Sequence, residues 1–159
     1  RLGSARFAFP WLAIADLPMF DQDLEGDLPD PVRRMKGAIV AAVALLFVTP
    51  EYTRSIPPLL KNAIDWGCRP YGESVWTGKP AAVAGASPDG TGTAPAQYHL
   101  RTVLTSLQIP VMPFPEAIVE FDEALIAPGG DIRREAVRKH LEHFMARFAR
   151  WTAALSAPD

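Results

Sequence analysis

Apolar residues along this chain keep two rhythms: short unbroken runs bounded by Pro, Gly or Thr, and longer stretches with apolar positions every third or fourth residue. The runs WLAIADL (11–17), VALLFV (43–48) and PAAVAGA (80–86) predict strands. Continuous apolar runs of this kind suit parallel strands buried on both faces. A fourth strand is expected at 109–114 (IPVMPF), at a sheet edge, because its prolines cannot donate to a ladder. Asp30-Pro31 reads as an N-cap followed by proline at the first helical position. Val32, Met35, Ile39 and Ala42 follow at helical spacing. Helices are likewise expected over 58–66, with Leu59, Leu60, Ala63, Ile64 and Trp66 as the apolar positions, and over 97–107, with Leu100, Val103, Leu104 and Leu107 inward. Residues 132–155 repeat Val137, Leu141, Phe144, Phe148, Trp151 and Leu155 as one long amphipathic helix.

The elements therefore alternate, strand then helix, along the chain. Such alternation with unbroken apolar strands predicts an α/β fold, a doubly wound parallel sheet with helices on both faces. Ligands of such sheets bind in loops beyond the carboxyl ends of strands, near a topological switch point. Two loops leave predicted strand ends with unusual chemistry, TPEYTRSIPP (49–58) and SPDGTGTA (87–94), and the site is expected there.

Composition narrows the classes. A chain of 159 residues, 48% hydrophobic and 21% charged, reads as one globular domain spanning 1–159 and not as a disordered segment. Net charge is −2 with Lys and Arg scattered, which leaves no footprint for nucleic acid or an anionic membrane. The longest apolar run, residues 41–48, is far too short to cross a bilayer. Cys68 is the single cysteine, so no internal disulfide framework exists, and a cytoplasmic location is expected.

The first loop has prolines to stiffen it, a flat ring in Tyr52, and hydroxyls on Thr49, Thr53 and Ser55. Those parts suit the edge of a planar heterocycle, and they equally suit a plain proline-rich connection. Two glycines in the second loop let backbone approach a ligand closely, although Asp-Gly is also an ordinary turn signal.

The stretch TPEYTRSIPPLLKNAIDW resembles the TPEYN-x-S-x-P-x-x-LKNAIDW signature of the NAD(P)H-dependent FMN reductases, a family of flavodoxin-like quinone, chromate and azo-dye reductases. IADLPMFDQDLE, TGKP, GASPDG and AQYHLRTVL add to the resemblance, which runs from about Ile14 to Glu116. It implies a flavodoxin-like sheet of order 2-1-3-4-5 with flavin mononucleotide (FMN) across the carboxyl ends. Carried over by position, Thr49, Pro50, Glu51, Tyr52, Thr53 and Ser55 bind one side of the cofactor, and Ser87, Asp89 and Gly90 hold the other. Arg1 and Ser4 match part of the family's phosphate loop, GSLR-x-x-S-x-N, with Arg6 where Asn is usual. Thr53 likewise stands where the family has Asn.

Only a few residues separate that loop from the run at 11–17, where the family has a full helix. The family's first strand, with part of its phosphate loop and first helix, is thus expected to be missing from these residues. Strands at 11–15 and 43–48 are then expected to flank a missing or differently placed partner, without which buried backbone groups along both go unpaired.

The resemblance further implies hydride transfer from NAD(P)H as co-substrate through bound FMN to a small acceptor such as a quinone, flavin, chromate or azo compound. The chemistry lies on the cofactor, so no catalytic side chain is assigned. Glu51 is not read as a base; fixing the loop by bonding backbone amides is its other role. A homodimer or homotetramer is implied, with Tyr98, Arg101 and Glu116 on its interface and Trp66 and Trp76 adding apolar contact. Cys68 reads as an incidental thiol, and His140 and His143 as a solvated helix face without a third metal ligand. Two other classes stay open at this point: a flavin carrier without turnover, and a relative that lost FMN and serves as a binding or structural protein.

Overall fold

The computed structural model describes residues 7–156. Its sheet consists of β1 (Leu45–Val48), β2 (Ala81–Ser87) and β3 (Ala117–Glu120), all parallel and in the order β1-β2-β3. Leu45 to Val48 lie opposite Ala81 to Ala84, and Ala84 to Ser87 lie opposite Ala117 to Glu120. Four helices complete the architecture: α1 (Asp30–Ala41), α2 (Pro58–Gly67), α3 (Ala94–Ser106) and α4 (Glu135–Leu155). This is the α/β class expected from the alternating pattern.

Alternation along β2 divides the core between the two faces. Ala81 and Val83, with Phe47 of β1, pack under Val32, Met35 and Ile39 of α1, Ile64 and Trp66 of α2, and Leu100 and Leu104 of α3. Ala82 and Ala117 meet Phe144 and Phe148 of α4 on the other face. Each large apolar side chain so buried contributes about 1.5–3 kcal/mol. Small residues in β2, alanines and Gly85 around a single Val83, leave room for helices to approach closely.

The run at 11–17 is not a strand. Trp11 is 93% exposed while Leu17 is 7% exposed, and the segment beyond it is tied to α2 by side chains. Asn62 accepts from the Phe20 amide and donates to the Pro18 carbonyl, which also accepts from the Trp66 indole. The expected gap between strands at 11–15 and 43–48 therefore does not take that form. The described residues hold no strand before β1, so the remainder of the 2-1-3-4-5 order has no counterpart among them.

At 109–114 the chain makes a parallel bridge at Val111 instead of a strand. Ala81 donates to the Pro110 carbonyl and Met112 to the Ala81 carbonyl, and Pro113 can offer no further donor. Pairing with β2 resumes at Ala117, so the edge strand is β3. At α1, the cap position falls on Pro29 and Asp30 is already helical. Trp66 and Trp76 are 0% and 2% exposed, which removes them from any interface and places them in the core.

Candidate functional site

β1 and β2 are adjacent and parallel, so the chain leaves both at the same end of the sheet. The two loops singled out in the sequence consequently stand side by side. Their roots are fixed first. Thr49 extends the ladder by donating its amide to Ala84, and it is 1% exposed, with its hydroxyl donating to the Pro50 carbonyl. Gly85, next along β2, lies so close to this root that a Cβ there would stand 2.5 Å from the Thr49 carbonyl and 2.1 Å from the Thr93 hydroxyl. Only glycine fits such an approach.

The first loop doubles back at once. Tyr52 and Ser55 exchange both backbone hydrogen bonds at 2.9 Å, closing a two-residue turn over Thr53 and Arg54. Both residues of that turn are left-handed, with φ of 49° and 64°. Mirror-image turns of this type favour Asn-Gly, because a side chain in the left-handed region costs about 1–2 kcal/mol. A β-branched Thr53 followed by Arg54 is a poor pair for it.

Tertiary contacts hold what the local sequence opposes. The Glu51 side chain, only 7% exposed, reaches the start of α3 and accepts from the Ala96 amide at 3.2 Å and from Arg54 at 3.3 Å. Arg54 also reaches the Thr91 hydroxyl at 3.5 Å, and the Ser55 hydroxyl meets Nδ1 of His99 at 2.7 Å. Thr93, at the cap position of α3, makes no capping bond; its hydroxyl accepts from buried Gln97. Glu51 thus supplies that helix with its cap from 45 residues away.

The second loop closes on itself. Asp89 accepts from the Thr91 amide at 3.0 Å and the Thr91 hydroxyl at 2.7 Å, while its own amide donates to Ser87. Gly92 donates to the Asp89 carbonyl and takes a φ of 58°. Hydrogen bonds from Thr91 hold the Asp89 carboxyl below its ordinary value, with smaller help from Arg54 and Ser87.

Both loops therefore spend most of their side chains on holding shape. Tyr52 keeps a ring 57% exposed, and Pro50, Thr53 and Gly90 are also exposed. The backbone N–H groups of Glu51, Thr53 and Gly90 find no acceptor among the described residues. Amide donors without an acceptor in both loops, with an exposed tyrosine in the first, suit the carbonyl-bearing edge of an isoalloxazine, so the residues present fit FMN. Thr49, Glu51, Tyr52, Thr53, Ser55, Ser87, Asp89 and Gly90 are gathered at one end of the sheet; Arg1 and Ser4 lie outside the described residues.

Arg54, Thr91, His99 and Gln97 also belong to this constellation and were not assigned to the site from the sequence. The Asp-Gly-Thr spacing is a signal for Thr91, whose hydroxyl closes the Asx-type turn. No local signal points to His99, which depends on how α3 lies against the first loop. Among the described residues no cluster of His, Cys, Asp or Glu could hold a metal ion. An open apolar hollow of about 220 Å³ lies between the strand ends and α4, against Val48, Ala84, Gly85, Val119, Phe121 and Leu141. It carries no titratable group, and we read it as bare sheet, not as a reaction site.

Comparison with known proteins points the same way. Residues 4–124 match the family model described as NADPH-dependent FMN reductase. A 2-hydroxy-1,4-benzoquinone reductase of a Burkholderia species is 46% identical over 150 residues, 94% of this chain and 82% of its own. A quinone reductase of Pseudomonas putida is 40% identical over 152 residues, 95% of this chain and 81% of its own. The solved structure of FerB, a flavoenzyme NAD(P)H:(acceptor) oxidoreductase from Paracoccus denitrificans, superimposes with a TM-score of 0.93 at 41% identity. That match covers 96% of this chain and 84% of FerB.

Proposed function

The chain belongs to the NADPH-dependent FMN reductase family, and from that premise we propose that its two strand-end loops grip the edge of FMN in an oxidoreductase that reduces quinones with NAD(P)H. The observation that carries this reading is that, among the described residues, the amides of Glu51, Thr53 and Gly90 find no acceptor in the two strand-end loops, one of which also exposes Tyr52. When bound, FMN supplies the chemistry: it accepts hydride from the nicotinamide and gives two electrons to the acceptor.

The protein's part is positioning and electrostatics. Backbone donors at Glu51, Thr53 and Gly90 orient the ring and stabilise negative charge on its edge, and they need no reorganisation during reaction. Tyr52 bounds the ring and keeps water from that side. No side chain clamps a particular acceptor, so nicotinamide and acceptor use one open face in turn. Similar small oxidants, including flavins, chromate and azo compounds, fit that openness. Family membership leaves the flavin-free reading without support.

A homodimer or homotetramer in the cytoplasm completes the reading. Exposed Tyr98 and Phe114, at 52% and 69%, flank Glu116, which accepts from the Tyr98 hydroxyl. Burial lowers the Arg101 guanidinium, which bonds the Met112 carbonyl nearby.

Steady-state kinetics test the shared face. Double-reciprocal plots of NAD(P)H oxidation at several quinone concentrations should be parallel, and excess quinone should compete with the nicotinamide. Intersecting lines would mean two separate sites. Purified protein that binds no FMN, judged by flavin absorbance, would sink the reading altogether.

A further inference from the structure

We propose that Glu51 is a positioning residue for the flavin: by bridging the first loop to α3 it holds the Thr53-Arg54 turn in a conformation its own sequence disfavours. The inference rests on the proposed placement of the flavin edge at this loop.

Three observations converge on it. Thr53 and Arg54 are consecutive non-glycine residues with positive φ, 49° and 64°, so the turn relaxes if nothing holds it. Relaxation rotates the peptide planes on either side of Thr53, one of which carries the Thr53 amide proposed to meet the ligand. The restraints on the turn lead mainly to one place. Glu51 accepts from Ala96 and from Arg54, Arg54 reaches Thr91, and Ser55 meets His99. Ala96 and His99 belong to α3, and Thr91 lies just before it. Of the polar side chains among these the Glu51 carboxylate is well buried, and it alone contacts both the turn and the α3 backbone. Glu51 therefore does two things with one side chain. It caps a helix that Thr93 leaves uncapped, and it fixes Arg54, the second residue of the strained turn.

The consequence is a population effect. A loop that spends only part of its time in the binding-competent shape loses apparent affinity in proportion to that fraction. Removing Glu51 lowers the fraction; a turn that prefers the left-handed shape restores it. Asn-Gly is such a turn.

The experiment measures FMN affinity of the full chain by quenching of flavin fluorescence. Four proteins are compared: wild type, Glu51→Ala, Thr53→Asn with Arg54→Gly, and all three changes together. Glu51→Ala is expected to weaken FMN binding by about tenfold, the scale of losing one cap. The Asn-Gly turn is expected to recover most of that loss in the Glu51→Ala background, although the α3 cap stays absent. Recovery separates positioning from a merely structural cap, which no change at 53 and 54 could replace. If Glu51→Ala binds FMN as tightly as wild type, the proposal fails. It fails equally if the Asn-Gly turn gives no recovery.

Should Glu51→Ala not fold, Glu51→Gln takes its place, since the amide oxygen still accepts from Ala96 and only the charged hold on Arg54 is lost. The same recovery is required there. Tyr52→Ala, measured alongside, keeps the two readings apart. Unchanged affinity in Tyr52→Ala overturns the placement of the flavin, whereas weakened affinity there with an unaffected Glu51→Ala overturns this inference alone.

Discussion

The two loops at the end of the sheet reach order by opposite routes. The second loop, from Ser87 to Thr93, is held by its own neighbours: Asp89 closes it on Thr91, and Gly92 takes the left-handed bend. The first loop bends left-handed at Thr53 and Arg54 without a glycine and relies on α3 to keep it so. One loop carries its conformation in its sequence; the other receives it from the fold. A conformation carried locally therefore survives the loss of distant contacts, while a received one relaxes when those contacts fail.

The largest expected effect tests the point where both loops are rooted. Gly85→Ala would press a methyl against the Thr93 hydroxyl and the Thr49 carbonyl, so stability should fall by about 3 kcal/mol in urea unfolding. A loss below about 0.5 kcal/mol, the range of an ordinary surface change, would mean the two roots are not tightly joined.

Next comes the ligand side of the first loop. Tyr52→Ala should slow quinone reduction and loosen FMN, since ring contact and loop stiffness go together. Wild-type rate and retention in that variant would move the proposed flavin edge elsewhere.

The self-closing loop offers a pH test. The Asp89 carboxyl lies below its ordinary 3.8, chiefly because Thr91 bonds its ionised form. A depressed folded value means its stabilisation is complete above about pH 3.8 and is lost as pH falls through the depressed value. Thr91→Val should raise the Asp89 midpoint towards 3.8 in a carboxyl-carbon NMR titration. An unmoved midpoint would show that the loop is not closed by this bond.

The smallest effect is expected at Ser87→Ala, which removes an acceptor from the Asp89 amide and costs about 1 kcal/mol. A larger loss of FMN affinity there than in Tyr52→Ala would reverse the ranking of the two loops as ligand contacts.

The same contrast explains what could be read from the sequence. α1, α2, α3 and α4 were legible from apolar spacing, and β1 and β2 from unbroken runs, because each buries its apolar face locally against the sheet. Residues 11–17 have an equally apolar run, yet a strand needs a partner, and Asn62 and Trp66 anchor the neighbouring Pro18 carbonyl instead. The edge strand was placed six or more residues early, since the run at 109–114 looks more apolar than AIVE at 117–120. Prolines 110 and 113 allow only one bridge there, which the composition of the run does not reveal. At the site, the loops themselves were legible. The link from Glu51 to Ala96 was not, because it depends on β1 and β2 lying in register, a property of the pair and not of either strand.

The amides of Glu51, Thr53 and Gly90, unpaired among the described residues, belong to peptide groups, which every amino acid but proline provides. Exchanging side chains at these positions leaves the donors in place, so a conventional alanine scan is nearly blind to them. Semisynthesis offers the direct probe: replacing the amide at Thr53 or Gly90 with an ester deletes a single N–H while leaving the side chain untouched. Relatives could then diverge widely in spelling along these loops and still present the same donors, because what is inherited is the course of the main chain.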